Sequence, residues 1–168
     1  MSNAGPLCIG ASVGSPFNMG ISFMTPDEVL WLKPLLKQTR VFSVLTDSEL
    51  EDFLNEMGIY DFKAGEVIIK QGEEADLFFV VYKGEVKVTV KRMFFKTVEM
   101  SHLKPGEIFG EMALLTYHNR TATLCAVKDT TCFVLFKSSF QYLVEKNPLF
   151  KNHVKAVVRE REEELKKI

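Results

Sequence analysis

The sequence predicts a mainly β fold, a sandwich or barrel, with helices at both ends. Three observations predict it. Between residues 59 and 136, seven short β-branched or aromatic runs recur at roughly ten-residue spacing, set apart by Gly-containing turn signals. On either side of that region the apolar period is helical. Fourteen Phe in 168 residues is a high count, and aromatic side chains suit half-buried strands.

Residues 1–24 are rich in Gly, Ser, Pro and Asn without a period, which predicts a disordered leader; Ser2-Asn3-Ala4 resembles the scar of a cleaved expression tag. Thr25-Pro26-Asp27-Glu28 offers an N-cap hydroxyl, Pro at the first helical position and an acid three residues after the cap. A helix over 26–39 follows, which Pro34 should bend or interrupt. Thr46-Asp47-Ser48-Glu49 opens a second helix carrying Leu50, Phe53, Leu54 and Met57, with Gly58 as its C′ residue. Strands are expected at 59–62, 67–70, 77–82, 85–91, 94–102, 121–128 and 131–136. The stretch 108–115 is the exception and reads as a short helical turn between strands. Ser138 to Lys146 should be a helix, Asn147-Pro148 supplies a new cap, and a long helix runs over 149–168 with a heavily charged end, including the pair Glu163 and Lys167. The chain stops inside that pattern without a Gly or Pro stop signal, as a piece of a longer protein would. One domain over 25–168 results: helices at 25–58, the β region at 59–136 and helices at 137–168.

The totals exclude several functions. Twenty-one basic against 22 acidic residues argues against a nucleic-acid binder. No 18-residue apolar run is present, so this segment is expected to have no membrane contact of its own. No signal-peptide pattern is visible, which sets a cytoplasmic expectation. Cys125 and Cys132 lie in apolar runs and read as reduced packing residues. His102, His118 and His153 are scattered, without the clustered ligands a metal enzyme on a similar barrel would need. No metal, no cofactor and no catalytic residue is expected.

One segment carries a ligand chemistry. Phe109-Gly110-Glu111-Met112-Ala113-Leu114-Leu115 is followed by Arg120-Thr121-Ala122-Thr123, placing one carboxylate and one guanidinium nine residues apart in apolar surroundings. The fork of Arg120 suits phosphate oxygens bidentately, and hydroxyls and backbone N–H groups at Thr121-Ala122-Thr123 lie close by. Gly110 and Ala113 let backbone donors approach a ligand. Glu111 is wrong for a pure phosphate site. Either it pairs with Arg120 in a purely structural domain, or it accepts a hydrogen bond from a ligand hydroxyl. The second reading selects a singly charged anion with an adjacent hydroxyl. Neither a Walker loop nor a GxGxxG fingerprint is present to hold more phosphates.

FGEMALL followed by RTAT resembles the phosphate-binding cassette of cyclic nucleotide-binding domains, and the runs from Ala64 to Asp76 and from Tyr82 to Val86 resemble that family's strands and tight turns. The resemblance covers about 40–168. It implies a jelly-roll-like β-roll with N-terminal helices, a short helix in the cassette and C-terminal lid helices. It also implies cAMP or cGMP as ligand, with an effector domain outside this chain. Arg120 would hold the cyclic phosphate and Glu111 the ribose 2′-OH. Gly110, Met112, Ala113, Thr121 and Ala122 would line the cassette, and Phe109 and Leu103 would wall the base. A Thr at position 121 allows contact with a guanine amino group but also occurs in cAMP-responsive members. Val157, Val158, Arg161 and Leu165 are the lid candidates.

Overall fold

The computed structural model describes residues 24–116 and 118–166, with backbone only for Phe95, Met112 and Leu165. The leader, the Glu163–Lys167 pair and Ile168 lie outside the described residues in whole or in part. Two helices come first, α1 (Pro26–Lys37) and α2 (Asp47–Glu56), followed by β1 (Gly58–Phe62), β2 (Val67–Ile69), β3 (Leu77–Lys83), β4 (Val86–Lys91), β5 (Thr97–Leu103), β6 (Ile108–Phe109), β7 (Thr123–Ala126) and β8 (Thr130–Phe136). Helices α3 (Lys137–Glu145) and α4 (Pro148–Lys166) close the chain. Short 3-10 turns lie at Met93–Phe95 and Met112–Leu114.

Both capping boxes form. Thr25 and Thr46 accept from the N–H groups of Glu28 and Glu49, whose carboxylates accept from the cap N–H groups in return. Pro34 does not interrupt α1. The carbonyl it deprives of a partner belongs to Leu30, on a side where Leu30 is exposed. Gly58 does stand at C′, directly after the Met57 cap, but without the positive φ of a left-handed stop, and it begins β1.

All strand pairs are antiparallel, in two four-stranded sheets ordered β1-β8-β3-β6 and β2-β7-β4-β5. The period-2 alternation of β3 explains how the layers stack. Leu77, Phe79 and Val81 point between the sheets, where they meet Val86, Leu124, Ala126, Cys132 and Val134. Phe78 and Val80 point the other way, toward a second core made with the helices. That second core holds an aromatic cluster of Phe42, Phe53, Phe140 and Phe150 with Phe78. Four of those five rings sit on helices or the α1–α2 turn, so the Phe count reflects helix packing as much as strands.

Cys132 is a buried free thiol, pushed up to about 12 by burial. Cys125 is equally buried.

On the β4–β5 face, His102 sits between two carboxylates, with Nδ1 2.9 Å from Glu85 and Nε2 against Glu99. Hydrogen bonds to Glu85 first and Glu99 second raise the His102 pKa above its usual 6.5. A raised folded pKa makes the contribution full below about pH 6.5 and lost as pH rises through the folded value. Urea unfolding midpoints are therefore expected to fall as pH rises from about 6 to about 8. His102→Gln should flatten that slope, and an unchanged slope would remove His102 as its cause.

Candidate functional site

The chain after β6 makes a sharp turn that only glycine can occupy. Gly110 has φ +88°, and a Cβ there would lie 2.8 Å from the Leu77 carbonyl and 3.1 Å from Arg120 Nη1. The missing side chain thus serves first to bring the cassette against β3 and to leave room for the arginine fork. The 3-10 turn follows, with Ala113 N–H donating to Gly110 O at 3.0 Å and Leu114 N–H to Glu111 O at 3.2 Å. Those two amides are spent on the turn itself.

Arg120 is 7 % exposed. Its backbone is locked to the turn before β3: Gly72 N–H donates to Arg120 O at 2.8 Å, and Arg120 N–H to Glu73 O at 2.7 Å. Its Nη2 donates to the Leu77 carbonyl, and its guanidinium carbon is 6.0 Å from the Phe109 ring centre, within cation–π range. Burial lowers its pKa and nearby Asp76 opposes that; the group stays cationic at any physiological pH. Among the described residues Arg120 has no ion-pair partner. A second cation, Lys137, donates to the Thr116 carbonyl; burial first and the charge of Arg120 second lower its pKa.

Glu111 does not pair with Arg120. Its Oε1 accepts from Val41 N–H at 3.2 Å, 70 residues away in sequence, and a carboxylate retains further lone pairs after one such bond. Both side chains border one cavity of about 690 Å³, a size usual for small-ligand sites.

Phe109, Gly110, Glu111, Ala113, Arg120, Thr121, Val158 and Arg161 all line that cavity. Leu103 and Ala122 do not: Leu103, at the end of β5, packs against the core between the sheets, and Ala122, just before β7, is buried in it. Val157 is 3 % exposed and belongs to the helix-side core. The side chains of Met112 and Leu165 lie outside the description. The sequence reading missed Leu35, Gln38 and Thr39 at the end of α1, Ala75 before β3, Asn119 beside Arg120, and Glu162 on α4, all of which line the cavity. Only Asn119 had a signal, its adjacency to Arg120; the others arrive through tertiary packing.

The turn after α1 also ties the cavity to α4. Arg40 pairs with Glu160 at 3.3 Å and Glu164 at 3.1 Å, and His153 Nε2 lies 2.8 Å from the Arg40 carbonyl. Val41, the next residue, is the one bonded to Glu111.

A glycine turn and a buried arginine without an ion-pair partner among the described residues thus stand together on a two-sheet β-roll. The cyclic nucleotide-binding domain family matches residues 60–147, and the chain belongs to that family. The cGMP-dependent protein kinase of Plasmodium berghei is 33 % identical over 115 residues, covering 68 % of this chain and 13 % of that protein. The cAMP-dependent protein kinase regulatory subunit of Debaryomyces hansenii is 31 % identical over 126 residues, covering 74 % and 27 %. Among solved structures, cAMP-bound PfPKA-R superposes with a TM-score of 0.67 at 28 % identity, over 75 % of this chain and 46 % of that one. The chain thus spans only about an eighth to a quarter of the length of these two curated relatives. No helix among the described residues is long and apolar enough to cross a membrane.

Proposed function

We propose that this chain is a cyclic-nucleotide sensor domain whose terminal helices report on the state of its cavity. Arg120 grips the cyclic phosphate, Glu111 accepts the ribose 2′-OH, and Phe109, Gly110, Ala113 and Thr121 surround them. Val158 and Arg161 of α4 stand over the ligand. The observation that carries this reading is Arg120 itself: a nearly buried guanidinium without an ion-pair partner among the described residues, on the same cavity wall as Glu111. A desolvated cation in that condition favours an anionic ligand. The relatives named for cGMP- and cAMP-dependent kinases support a cyclic nucleotide as that anion, and the output passes to an effector domain outside this chain in the cytoplasm. A Glu111–Arg120 pair, the mark of the structural alternative, is replaced here by the separate contacts to Val41 and Leu77.

The relay from Glu111 through Val41 and Arg40 to Glu160 and Glu164 supports coupling to α4. A ligand moves such an equilibrium only by its differential affinity for the two arrangements.

Calorimetry with cAMP and cGMP tests the reading, and bound ligand should also raise the melting midpoint by mass action. Glu111→Gln is expected to weaken binding by roughly 10- to 150-fold, the equivalent of a charge-assisted hydrogen bond. The variant should also lose the parent's preference for the ribose nucleotide over its 2′-deoxy analogue. Absence of binding by either nucleotide overturns the sensor reading; an undiminished ribose preference in Glu111→Gln overturns the role of Glu111.

A further inference from the structure

The β4–β5 hairpin ends in the most exposed apolar side chain of the described residues. Phe94 is 93 % exposed and its neighbour Met93 is 81 % exposed. Phe94 has φ +66°, the one positive φ outside glycine among the described residues. Such a conformation is unusual for a bulky side chain and is kept where the surroundings hold it. Here they do. Arg92 N–H donates to Lys96 O at 2.9 Å and closes the turn. Gln71 clamps the base of the tip, accepting from Lys91 N–H at 2.7 Å and donating to Lys91 O at 3.1 Å. Gln71 N–H is itself anchored on Thr123 Oγ1 at 3.0 Å. The presentation of Met93 and Phe94 to solvent is therefore built into the sheet rather than a frayed end.

The charge around the tip has one sign. Lys91, Arg92 and Lys96 are exposed, and no acid occurs between Lys91 and Val98. The first carboxylate along β5, Glu99, is engaged by His102. In a chain with net charge −1, three cations around two solvated apolar side chains form a distinct local pattern.

We propose that this tip docks the protein on an anionic phospholipid surface. Met93 and Phe94 enter the interfacial layer, and Lys91, Arg92 and Lys96 lie among the head-group phosphates. Area and charge favour lipid over a protein partner. Two side chains at a hairpin end fall far short of the roughly 800 Å² per partner that a stable protein interface needs. A lipid surface, by contrast, rewards a small apolar wedge flanked by cations. Strand β5 runs seven residues from the tip to Leu103, a distance of about 20 Å, before the chain reaches Gly106 at the cavity. A docked tip thus leaves the nucleotide cavity open. The expectation that this segment makes no membrane contact rested on the lack of a spanning helix, which a surface dock does not require.

Co-sedimentation with vesicles tests this, using phosphatidylcholine alone and phosphatidylcholine with about 30 mol% phosphatidylserine. The full chain should sediment with the anionic vesicles and not with the neutral ones. Met93→Ser with Phe94→Ser, and separately Arg92→Glu with Lys96→Glu, should each lower the partition constant at least about tenfold. Raising salt from about 0.1 to about 0.5 M should weaken binding comparably. Unchanged melting midpoints show that both variants fold. The proposal fails if the parent stays in the supernatant, binds neutral vesicles equally, or is matched by both variants. It also fails if sedimentation velocity shows a tip-dependent dimer without vesicle binding, which would assign the tip to a second copy of the chain.

Discussion

Arg120→Ala is expected to weaken cAMP or cGMP binding by roughly 30- to several-thousand-fold, the equivalent of about 2–5 kcal/mol for losing one partner of a desolvated charge pair. The loss should be this large because the guanidinium is 7 % exposed and would meet a bound anion away from water. The unliganded protein should lose a smaller amount, about 1–3 kcal/mol, for the buried hydrogen bond to the Leu77 carbonyl, since no described carboxylate is ion-paired to Arg120 and stranded by its removal. Arg120→Lys separates charge from shape. Lysine keeps the charge and loses the bidentate fork, so its affinity should fall between parent and alanine variant. Calorimetry reads the affinity and thermal unfolding reads the stability. Parent-like binding by Arg120→Ala would move the anion site elsewhere.

Phe42→Ala is expected to be the most destabilising of the core truncations, by about 3–5 kcal/mol. Phe42 is fully buried, with ring centres of Phe53, Phe78, Phe140 and Phe150 at 5.4, 5.8, 6.0 and 6.5 Å. It therefore joins the α1–α2 turn to α2, β3, α3 and α4 at one point. Collapse around the vacated volume is resisted from four sides, which keeps the cavity cost high. For a chain of this length the melting midpoint should drop by roughly 6–20 °C. Phe42→Leu, which fills most of the volume, should cost much less. A drop under about 2 °C for the alanine variant would show that the cluster repacks and is not held by this ring.

Much of the fold is legible where local chemistry decides it. The Thr25 and Thr46 boxes specify their helices because each hydroxyl and acid acts within four residues. The unbroken apolar run at Leu77–Val81 specifies a strand buried on both faces. Legibility fails where a distant contact overrides local preference. Phe94 and Phe95 favour a strand by type, yet they fall in a 3-10 turn because the hairpin reverses there. Strand β7 begins at Thr123 rather than 121, since Arg120 is drawn to the turn at Gly72 and Glu73. Gly58 looked like a helix stop, but β1 starts there to pair with β8.

The cavity shows the same division. Gly110, Glu111, Ala113, Arg120 and Thr121 share one wall because they share one segment, and a linear motif captures that. The same motif also carries Ala122, and the resemblance Leu103, yet both pack at the inter-sheet core rather than on the cavity wall. Gln38 and Thr39 reach the cavity only because α1 packs beside the roll. The hydrogen bond from Val41 to Glu111 spans 70 positions, and neither residue type foretells the other.

The outermost strands have a consequence for how the protein behaves in concentrated solution. β6 has two residues and β2 three, too few to template a foreign strand along those borders. The longer outer strands, β1 and β5, carry Asp61 and Glu99, and charges placed there discourage ladder-by-ladder growth. Fibrils built by strand addition are therefore disfavoured at all four borders, and the protein should remain dispersed at concentrations where a smoother roll would polymerise.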